Sequence, residues 1–216
     1  MVGTVIFDMD GTLLDTLTDL HESVNALLAE LSLPPRDVET VRDALGYGAV
    51  YMLKCSMPSG TTDEEAERLL PRYKEIYAVR MKNHTAPYAG VLDMLKDVKA
   101  AGFATAVVTN KLDAAAQALC AEVFGGLIDA AEGDRPDVAR KPAPDHVYNV
   151  LKRLNMEGEP GFFVGDSDAD IQIAKNAGLT SIGVSWGYQP VRVLLAEGAD
   201  YIIDKPGELL NILNSG

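Results

Sequence analysis

Cysteine is scarce in this chain of 216 residues, which contains only Cys55 and Cys120. Their spacing matches neither a zinc-binding pattern nor the disulfide framework of a small secreted protein. Long apolar runs are missing too, because the apolar segment 2–7 ends at Asp8 and lacks the basic front and cleavage site of a signal peptide. We therefore expect a soluble protein of the reducing cytoplasm, with no membrane partner.

Basic residues are also few, with 19 Lys and Arg against 32 Asp and Glu and a formal net charge of −13. A surface this negative repels phosphate backbones and anionic lipids, so we expect no nucleic-acid partner. Glycine and proline are too few for a collagenous or low-complexity chain, and 47% hydrophobic residues suffice for a packed core. The length suits one domain, or a core domain with a smaller insertion.

Short β-branched or aromatic runs alternate with segments of helical periodicity along most of the chain. This alternation predicts βαβ units and an α/β fold with a doubly wound, Rossmann-like parallel sheet. The strand candidates are 4–7, 104–109, 126–131, 161–165, 180–186 and 200–204. The clearest helix candidates between them are 91–101, 145–154 and 169–177.

One long region interrupts this alternation. Between the first strand and residue 103 we find no convincing strand, but an apolar stripe over 17–31, a second helix around 37–45, and a third from Thr62 towards residue 83. Thr62 and Glu65 have the spacing of a capping box. We predict a helical cap over residues 16–84, inserted into an α/β core made of 1–15 and 85–216.

The first chemically informative stretch is Phe7-Asp8-Met9-Asp10-Gly11-Thr12. Two carboxylates two residues apart in an extended segment project to the same side, here at the carboxyl end of a strand, where open α/β sheets bind ligands. Clustered carboxylates repel unless a cation or a shared proton compensates, so Mg²⁺ is the natural partner. Read alone, the stretch also fits a solvated turn with an aspartate cap.

A second acidic stretch, Gly165-Asp166-Ser167-Asp168-Ala169-Asp170, also follows an apolar strand and opens a helix. An EF-hand is excluded, because its sixth and twelfth positions would hold Ile171 and Ala177 instead of Gly and Glu. Three carboxylates in five residues suit a metal or another cation. Read alone, the stretch equally fits a capped helix start with a solvated acidic face.

Two further pieces carry a hydroxyl and a positive charge. Thr109 and Asn110 close the strand 104–109, which brings a hydroxyl and backbone amides to the same sheet edge. Lys141 lies in a proline-stiffened approach to a helix, and a lysine suits a phosphate oxygen. Singly, Thr109 fits an ordinary strand end and Lys141 a solvated surface lysine. Their significance lies in the combination with the two acidic turns.

In this order the four pieces resemble the haloacid dehalogenase superfamily of phosphohydrolases. Asp8-Met-Asp-Gly-Thr is similar to its first motif, Thr109 to its second, Lys141 to its third, and the stretch 165–170 to its fourth. The similarity spans Val5 to about Asp204, and the helical insertion is similar to the first-type cap of this superfamily.

The resemblance implies a role for each acidic residue. Asp8 would be the nucleophile that forms an aspartyl-phosphate, and Asp10 would be the general acid and then the base for water. Mg²⁺ would be held by the Asp8 carboxylate, the Asp10 backbone carbonyl and Asp166. Asp170 would orient that metal shell from behind or through water.

The resemblance also implies a phosphate site made of Thr109, the Asn110 amide and Lys141, with Gly11 of the first motif beside it. It thus implies a Mg²⁺-dependent phosphatase whose partner is a small phosphorylated metabolite, working as a monomer or homodimer.

Narrower choices depend on a few residues. The second aspartate, Asp10, favours phosphate esters over dehalogenation or phosphonate cleavage. Sugar-phosphate mutases of similar cap type usually carry an arginine in the loop that here reads 46–50 and has none. The stretches 45–48 and 108–111 look more like phosphoglycolate phosphatases, so 2-phosphoglycolate is the first substrate candidate. A sugar-phosphate mutase, a pyrophosphatase or nucleotide phosphatase, and a non-catalytic phospho-acceptor are the alternatives.

Overall fold

A parallel sheet of six strands forms the centre of the computed structural model, which describes residues 2–214. Its order is β5-β4-β1-β6-β7-β8, and a separate two-stranded antiparallel pair is made by β2 and β3. The strands are β1 (Thr4–Phe7), β2 (Leu14–Asp15), β3 (Ala86–Pro87), β4 (Ala104–Leu112), β5 (Ala130–Asp134), β6 (Gly161–Gly165), β7 (Thr180–Val184) and β8 (Tyr201–Ile203). The predicted α/β class with a doubly wound parallel sheet is confirmed.

Helices cover both faces of this sheet, because alternate side chains of each strand point to opposite sides. Val5 and Phe7 of β1 pack in one apolar cluster, whereas Ile6 packs in another on the opposite face. The helices are α1 (Leu17–Glu30), α2 (Val38–Arg42), α3 (Ala49–Ser56), α4 (Asp63–Arg80), α5 (Val91–Ala100), α6 (Asp113–Leu119), α7 (Asp145–Leu154), α8 (Asp168–Ala177), α9 (Val191–Ala196) and α10 (Leu209–Leu213).

The register of the central strands decides which residues meet at the carboxyl edge. Phe7 at the end of β1 is paired with Val107 of β4 and Val164 of β6. The residues that follow these positions therefore emerge side by side from the three middle strands. In an open parallel sheet this edge, next to the strand where the chain changes direction, is where ligands bind.

Four helices, α1 to α4, lie between β2 and β3 and form what we call the helical insertion (residues 16–84). They share an apolar cluster of their own, with Leu27, Leu53 and Tyr73 among its fully buried members. The capping box of Thr62 and Glu65 is present, with both of its hydrogen bonds.

The structure corrects the sequence reading in this region at three places. Helix α3 was not predicted, because its eight residues follow the loop at Gly46 and Gly48 and carry no clear start signal. Helix α2 ends at Arg42, so the expected helix around 37–45 is shorter than predicted. The strands β2 and β3, two residues each, pair where the chain enters and leaves the insertion, a region read as free of strands.

Core strands also differ from their predicted bounds, and β4, expected at 104–109, continues to Leu112. The strand expected at 126–131 begins at Ala130, because Gly125–Leu127 form a 3₁₀ turn and β4 offers partners only from Ala106 onward. The strand expected at 180–186 ends at Val184, after which the chain leaves the sheet in a loop. Among residues 2–214, no helix is long and apolar enough to cross a membrane.

Candidate active site

Three buried carboxylates meet where β1 and β6 end. Asp8 follows β1, Asp166 follows β6, and Asp170 lies in the first turn of α8. One oxygen from each lies within 4.8 Å of the others. The structure thus brings together the two acidic stretches that the sequence places far apart, and it does so on the sheet edge expected for a ligand.

Lys141 is the cation of this group. Its Nζ atom lies 2.8 Å from Asp8 Oδ1 and 2.7 Å from Asp170 Oδ1, and its side chain is 1% exposed. The surface-lysine alternative is therefore wrong, because the ammonium group is enclosed between two carboxylates. Although burial opposes it, the charges of Asp170 and Asp8 raise the pKa of Lys141 above its ordinary value, so this lysine stays charged.

The carboxylates themselves carry more negative charge than one lysine can offset. Burial, opposed by Lys141 and reinforced by Asp170, raises the pKa of Asp8 to about 6. Burial, together with the charges of Asp170 and Asp8, raises the pKa of Asp166 well above its usual range. A cluster whose charged form is this unfavourable suits a bound cation.

Asp170 differs from its two neighbours because donors of the protein already satisfy it. Its Oδ2 atom accepts hydrogen bonds from the Asp166 amide at 3.1 Å, and from the Ser167 amide and hydroxyl at 2.9 and 2.6 Å. Its Oδ1 atom accepts from Lys141. Asp170 therefore fixes the conformation of the 166–170 turn and the position of Lys141.

Asp166 is held by a loop that the sequence reading did not single out. Its Oδ2 atom accepts from the Tyr188 amide at 2.7 Å, while Oδ1 accepts from the Thr12 hydroxyl at 3.1 Å. Gly187 is required beside it, because a Cβ there would lie 2.1 Å from Asp166 Cβ. This loop leaves the carboxyl end of β7, and that position at the sheet edge is the signal that could have identified it.

Gly11 makes the same kind of close approach from the other side. Its φ is +84°, and a Cβ would lie 2.3 Å from Asp166 Oδ2. Its amide donates to the Leu14 carbonyl at 2.9 Å. Gly11 thus shapes the turn after Asp10, and the phosphate-binding role expected for it stays a prediction.

Asp10 stands apart from the three carboxylates and has its own cation. Lys111 Nζ donates to Asp10 Oδ1 at 2.8 Å and Oδ2 at 3.2 Å, and the Thr16 hydroxyl donates to Oδ1 at 2.7 Å. Lys111 is buried, with its side chain 3% exposed. The sequence reading assigned Lys111 no role, although it directly follows Thr109 and Asn110 at the end of a strand.

Thr109 and Asn110 are buried at the end of β4 and line one cavity together with Asp8, Asp10, Lys111 and Lys141. The Asn110 side chain accepts from the Lys141 amide at 3.0 Å and donates to the Gly46 carbonyl at 2.7 Å. Asn110 therefore links the phosphate-binding candidates of the core to the loop between α2 and α3 of the helical insertion. The other wall of the cavity belongs to the insertion, through residues that include Leu20, Leu45 and Met52.

A second contact joins the insertion to the core beside this cavity. The Tyr47 hydroxyl lies 2.9 and 3.1 Å from the two carboxylate oxygens of Asp168, and Gln189 lies next to both. Burial and Asp168 raise the pKa of Tyr47 to about 12, so the hydroxyl stays a donor at neutral pH. The contact with Tyr47 therefore gives a structural role to Asp168, the aspartate of the 166–170 stretch that lies outside the carboxylate cluster.

We expect Tyr47→Phe to raise KM about fivefold with little change in kcat, because the closed position of the 46–48 loop loses a hydrogen bond that contributes about 1 kcal/mol. Steady-state phosphate release measures the effect. Tyr51→Phe is the matched control, since the Tyr51 ring contacts Tyr47 but its side chain is 42% exposed. An equal change in both variants would contradict a specific role for the Tyr47 hydroxyl.

A parallel α/β sheet whose carboxyl edge presents buried aspartates, a threonine and a buried lysine defines an enzyme with a phosphate-handling site. Comparison with known proteins agrees with this class. The model of the haloacid dehalogenase-like hydrolase family matches residues 5–184. The chain therefore belongs to this family, as the resemblance of its four motifs predicted.

Individual relatives narrow the class to phosphatases. The phosphoglycolate phosphatase of Caulobacter vibrioides is 35% identical over 99% of this chain and 93% of its own length. Phosphoglycolate phosphatase 1 of Pseudomonas aeruginosa is 34% identical, over 95% of this chain and 78% of its own. The crystal structure of a predicted phosphoglycolate phosphatase from Haemophilus somnus is similar with a TM-score of 0.87 and 27% identity, covering 97% of both chains. The chain is thus a phosphatase.

Proposed function

We propose that this phosphatase is Mg²⁺-dependent and hydrolyses a small phosphorylated metabolite, with 2-phosphoglycolate as the first candidate, through an aspartyl-phosphate on Asp8. The observation that carries the proposal is the state of Asp8. Its carboxylate is buried at the carboxyl end of β1, lines the cavity, and has one oxygen, Oδ1, paired with the Lys141 ammonium group 2.8 Å away. Burial and the neighbouring carboxylates nevertheless disfavour its charged form, and a buried carboxylate perturbed in this way is typical of a group that serves a ligand or a reaction.

The donor set fits a magnesium ion. Mg²⁺ prefers oxygen ligands and is usually bound by one or two carboxylates plus water and substrate phosphates. Asp8 and Asp166 would supply carboxylates and Asp10 its backbone carbonyl, whereas Asp170 is already satisfied and would support them. When bound, Mg²⁺ would supply positive charge that offsets the carboxylates and the phosphoryl oxygens.

Asp8 would act as the nucleophile, and Asp10 would transfer the protons. Asp8 carries no hydroxyl proton when ionised and would attack phosphorus directly, which splits hydrolysis into two steps. Asp10 would donate a proton to the leaving oxygen and later take one from the attacking water. The contact with Lys111 positions the Asp10 carboxyl group in the cavity, beside Asp8 but outside the carboxylate cluster.

Thr109, Asn110 and Lys141 would bind the transferring phosphoryl group. They line the cavity beside Asp8, and Lys141 keeps its charge at neutral pH. Preorganised donors stabilise charge on the phosphoryl oxygens without reorganising during the reaction. The Asn110 contact with Gly46 ties this subsite to the insertion, so closure of the insertion and phosphate binding are coupled.

The cavity favours a short substrate. Its volume is about 50 Å³, well below the roughly 300–1,000 Å³ of sites that bind drug-sized ligands. The names of the relatives, phosphoglycolate phosphatases, agree with a substrate of this size. Nucleotides and large sugar phosphates would require the insertion to move outward.

We expect the purified protein to release inorganic phosphate from 2-phosphoglycolate in the presence of Mg²⁺, and excess EDTA to lower the rate at least about 100-fold, because the carboxylates need the ion's charge. Added Mg²⁺ should restore the rate. A panel with pyrophosphate, nucleoside monophosphates and hexose phosphates ranks the substrates. Phosphorus NMR showing transfer to a sugar instead of to water would favour the mutase alternative, and activity insensitive to EDTA would contradict the metal requirement.

A further inference from the structure

Two tyrosines from α4 line the cavity with hydroxyls that the chain leaves short of hydrogen-bond partners. Tyr73 and Tyr77 are one helical turn apart, and their rings stack at 5.8 Å with 7° between the planes. Their side chains are almost fully buried, at 1% and 2% exposure, and both line the cavity that contains Asp8. The Tyr73 hydroxyl makes no hydrogen bond, whereas the Tyr77 hydroxyl lies within reach of the Lys111 side chain.

Buried tyrosine hydroxyls normally find a partner, because an unpaired polar group loses its hydration with nothing in return. Phenylalanine would fill the same space and stack in the same way without this cost. An unpaired Tyr73 hydroxyl beside a Tyr77 hydroxyl that faces Lys111 therefore points to a ligand in the active-site cavity that supplies the missing partners.

The charges around the two hydroxyls indicate the sign of that ligand. Lys111 Nζ lies 4.8 Å from the centre of the Tyr77 ring, so an ammonium group adjoins this part of the cavity. Burial raises the pKa of both phenols, which keeps them as donors at neutral pH. Of the described residues that the helical insertion contributes to the lining, none carries a carboxylate. Asp10 offsets part of the Lys111 charge, but two phenol donors and a cation that face an insertion wall without carboxylates favour an anionic oxygen group.

The size of the cavity and its apolar lining limit how large and how polar the rest of the ligand can be. The cavity of about 50 Å³ also has to hold the phosphoryl group next to Asp8 and Lys141. Leu20, Leu45 and Met52 occupy the remaining insertion wall and offer no hydrogen bonds to sugar hydroxyls. Only a chain of a few atoms fits between the phosphate and the two tyrosines.

We propose that the Tyr73 and Tyr77 hydroxyls bind the non-phosphate end of the substrate, and that this end is an anionic oxygen group on a short chain, such as a carboxylate. The inference rests on the proposed function and adds the residues that determine specificity. Tyr73 and Tyr77 take no part in phosphoryl transfer, so their contribution is to substrate binding.

The test compares 2-phosphoglycolate with ethyl phosphate, which has the same short chain but no anionic end. We expect the double variant Tyr73→Phe/Tyr77→Phe to raise KM for 2-phosphoglycolate about 10- to 100-fold, the range for lost hydrogen bonds to a charged group, with kcat much less affected. The loss in kcat/KM should exceed that for ethyl phosphate at least tenfold. Equal losses for both substrates would overturn the inference.

Unfolding midpoints separate binding from structure. Phenylalanine keeps the ring packing and removes one unpaired hydroxyl and one whose neighbour Lys111 keeps Asp10 as its partner, so the double variant should unfold at about the same temperature as the natural protein or higher. Tyr148→Phe, on α7 and 52% exposed, is the matched control and should leave both substrates unaffected. A clear drop in midpoint for the double variant would assign the hydroxyls a structural role instead.

A binding measurement distinguishes failure of this inference from failure of the proposed function. Calorimetric titration of 2-phosphoglycolate with Mg²⁺ into Asp8→Asn protein, with and without the two Tyr→Phe changes, reads affinity without turnover. Weaker binding after the tyrosine changes supports the inference even if the natural protein releases no phosphate from any ester. Unchanged affinity overturns it even if the natural protein is an active phosphatase.

Discussion

Replacing Asp8 by Asn is expected to lower phosphate release by at least about 10⁴-fold, because the variant keeps the shape of the side chain but loses the nucleophile. The buried Asp8 carboxylate, which lines the cavity beside Lys141, is the group whose chemistry is removed. Phosphate release with 2-phosphoglycolate and Mg²⁺ measures the loss. Asp97→Asn, an exposed change of the same chemistry on α5, should retain full activity.

The same substitution should stabilise the metal-free protein at pH 8. The pKa of Asp8 is raised to about 6 in the folded state from an unfolded value near 3.8, so folding favours the protonated form. Its contribution to the free energy of unfolding is therefore lost as pH rises through this window, by about 2–3 kcal/mol. Asn carries no charge, so Asp8→Asn should be more stable than the natural protein at pH 8, with a gap that narrows towards pH 4.

Urea unfolding at the two pH values in EDTA checks the sign of this effect. A variant that is inactive and less stable at pH 8 would show that Asp8 serves the fold as a partner of Lys141. Full activity in a folded variant would exclude Asp8 as the nucleophile. Inactivity together with increased stability is the result that the site geometry predicts.

The central part of the site follows from the sequence because parallel topology fixes it. Asp8, Thr109 and Asp166 each come directly after an apolar run, and parallel strands bring their carboxyl ends to one edge. The short spacing within each acidic stretch then determines which side chains face the ligand. Local pattern and sheet topology were sufficient there, and the packing of distant helices was not needed.

The position of the Tyr73 and Tyr77 hydroxyls could not be predicted from local pattern and sheet topology. Along the sequence they are two aromatic residues one turn apart on a helix, a pattern that is typical of core packing, and they do pack in the apolar cluster of the insertion. Whether their hydroxyls reach a solvent-excluded cavity or an apolar neighbour depends on how α4 lies over the end of β4. That arrangement is set by contacts between the insertion and the core, which no local periodicity encodes.

Lys111 and the loop around Tyr188 were missed for different reasons. Lys111 lies next to Asn110, so the sequence places it at the same end of the strand. Only the structure shows that its ammonium group contacts Asp10 and does not face solvent. Tyr188 holds Asp166 with its backbone amide, and a backbone donor leaves no trace in the residue type. The residue type that indicates this contact is the glycine before Tyr188, because it allows the backbone to approach Asp166 closely.

Replacing Lys141 by Met is expected to have a large effect on both activity and stability. Its ammonium group lies between Asp8 and Asp170, and its loss leaves buried carboxylates without their cation. Breaking a buried charge pair in this way costs about 3–5 kcal/mol, and losing a charge that stabilises the transferring phosphoryl group lowers the rate about 10³-fold or more. Lys152→Met, an exposed change on α7, is the matched control and should be neutral.

The pH and Mg²⁺ dependence of the Lys141→Met variant should separate its electrostatic role from packing. Without the lysine, the pKa of Asp8 rises further, because Lys141 is the group that lowers it, so the folded state binds more protons than the unfolded state and stability falls as pH rises. The variant should therefore be closest to the natural protein at pH 5 and furthest from it at pH 8. Mg²⁺ should stabilise it more than the natural protein, because the ion replaces part of the missing positive charge. A loss of stability that is the same at both pH values and indifferent to Mg²⁺ would instead mean that the contact of the Lys141 ammonium group with the Phe163 ring, 5.6 Å from Nζ to the ring centre, was what mattered.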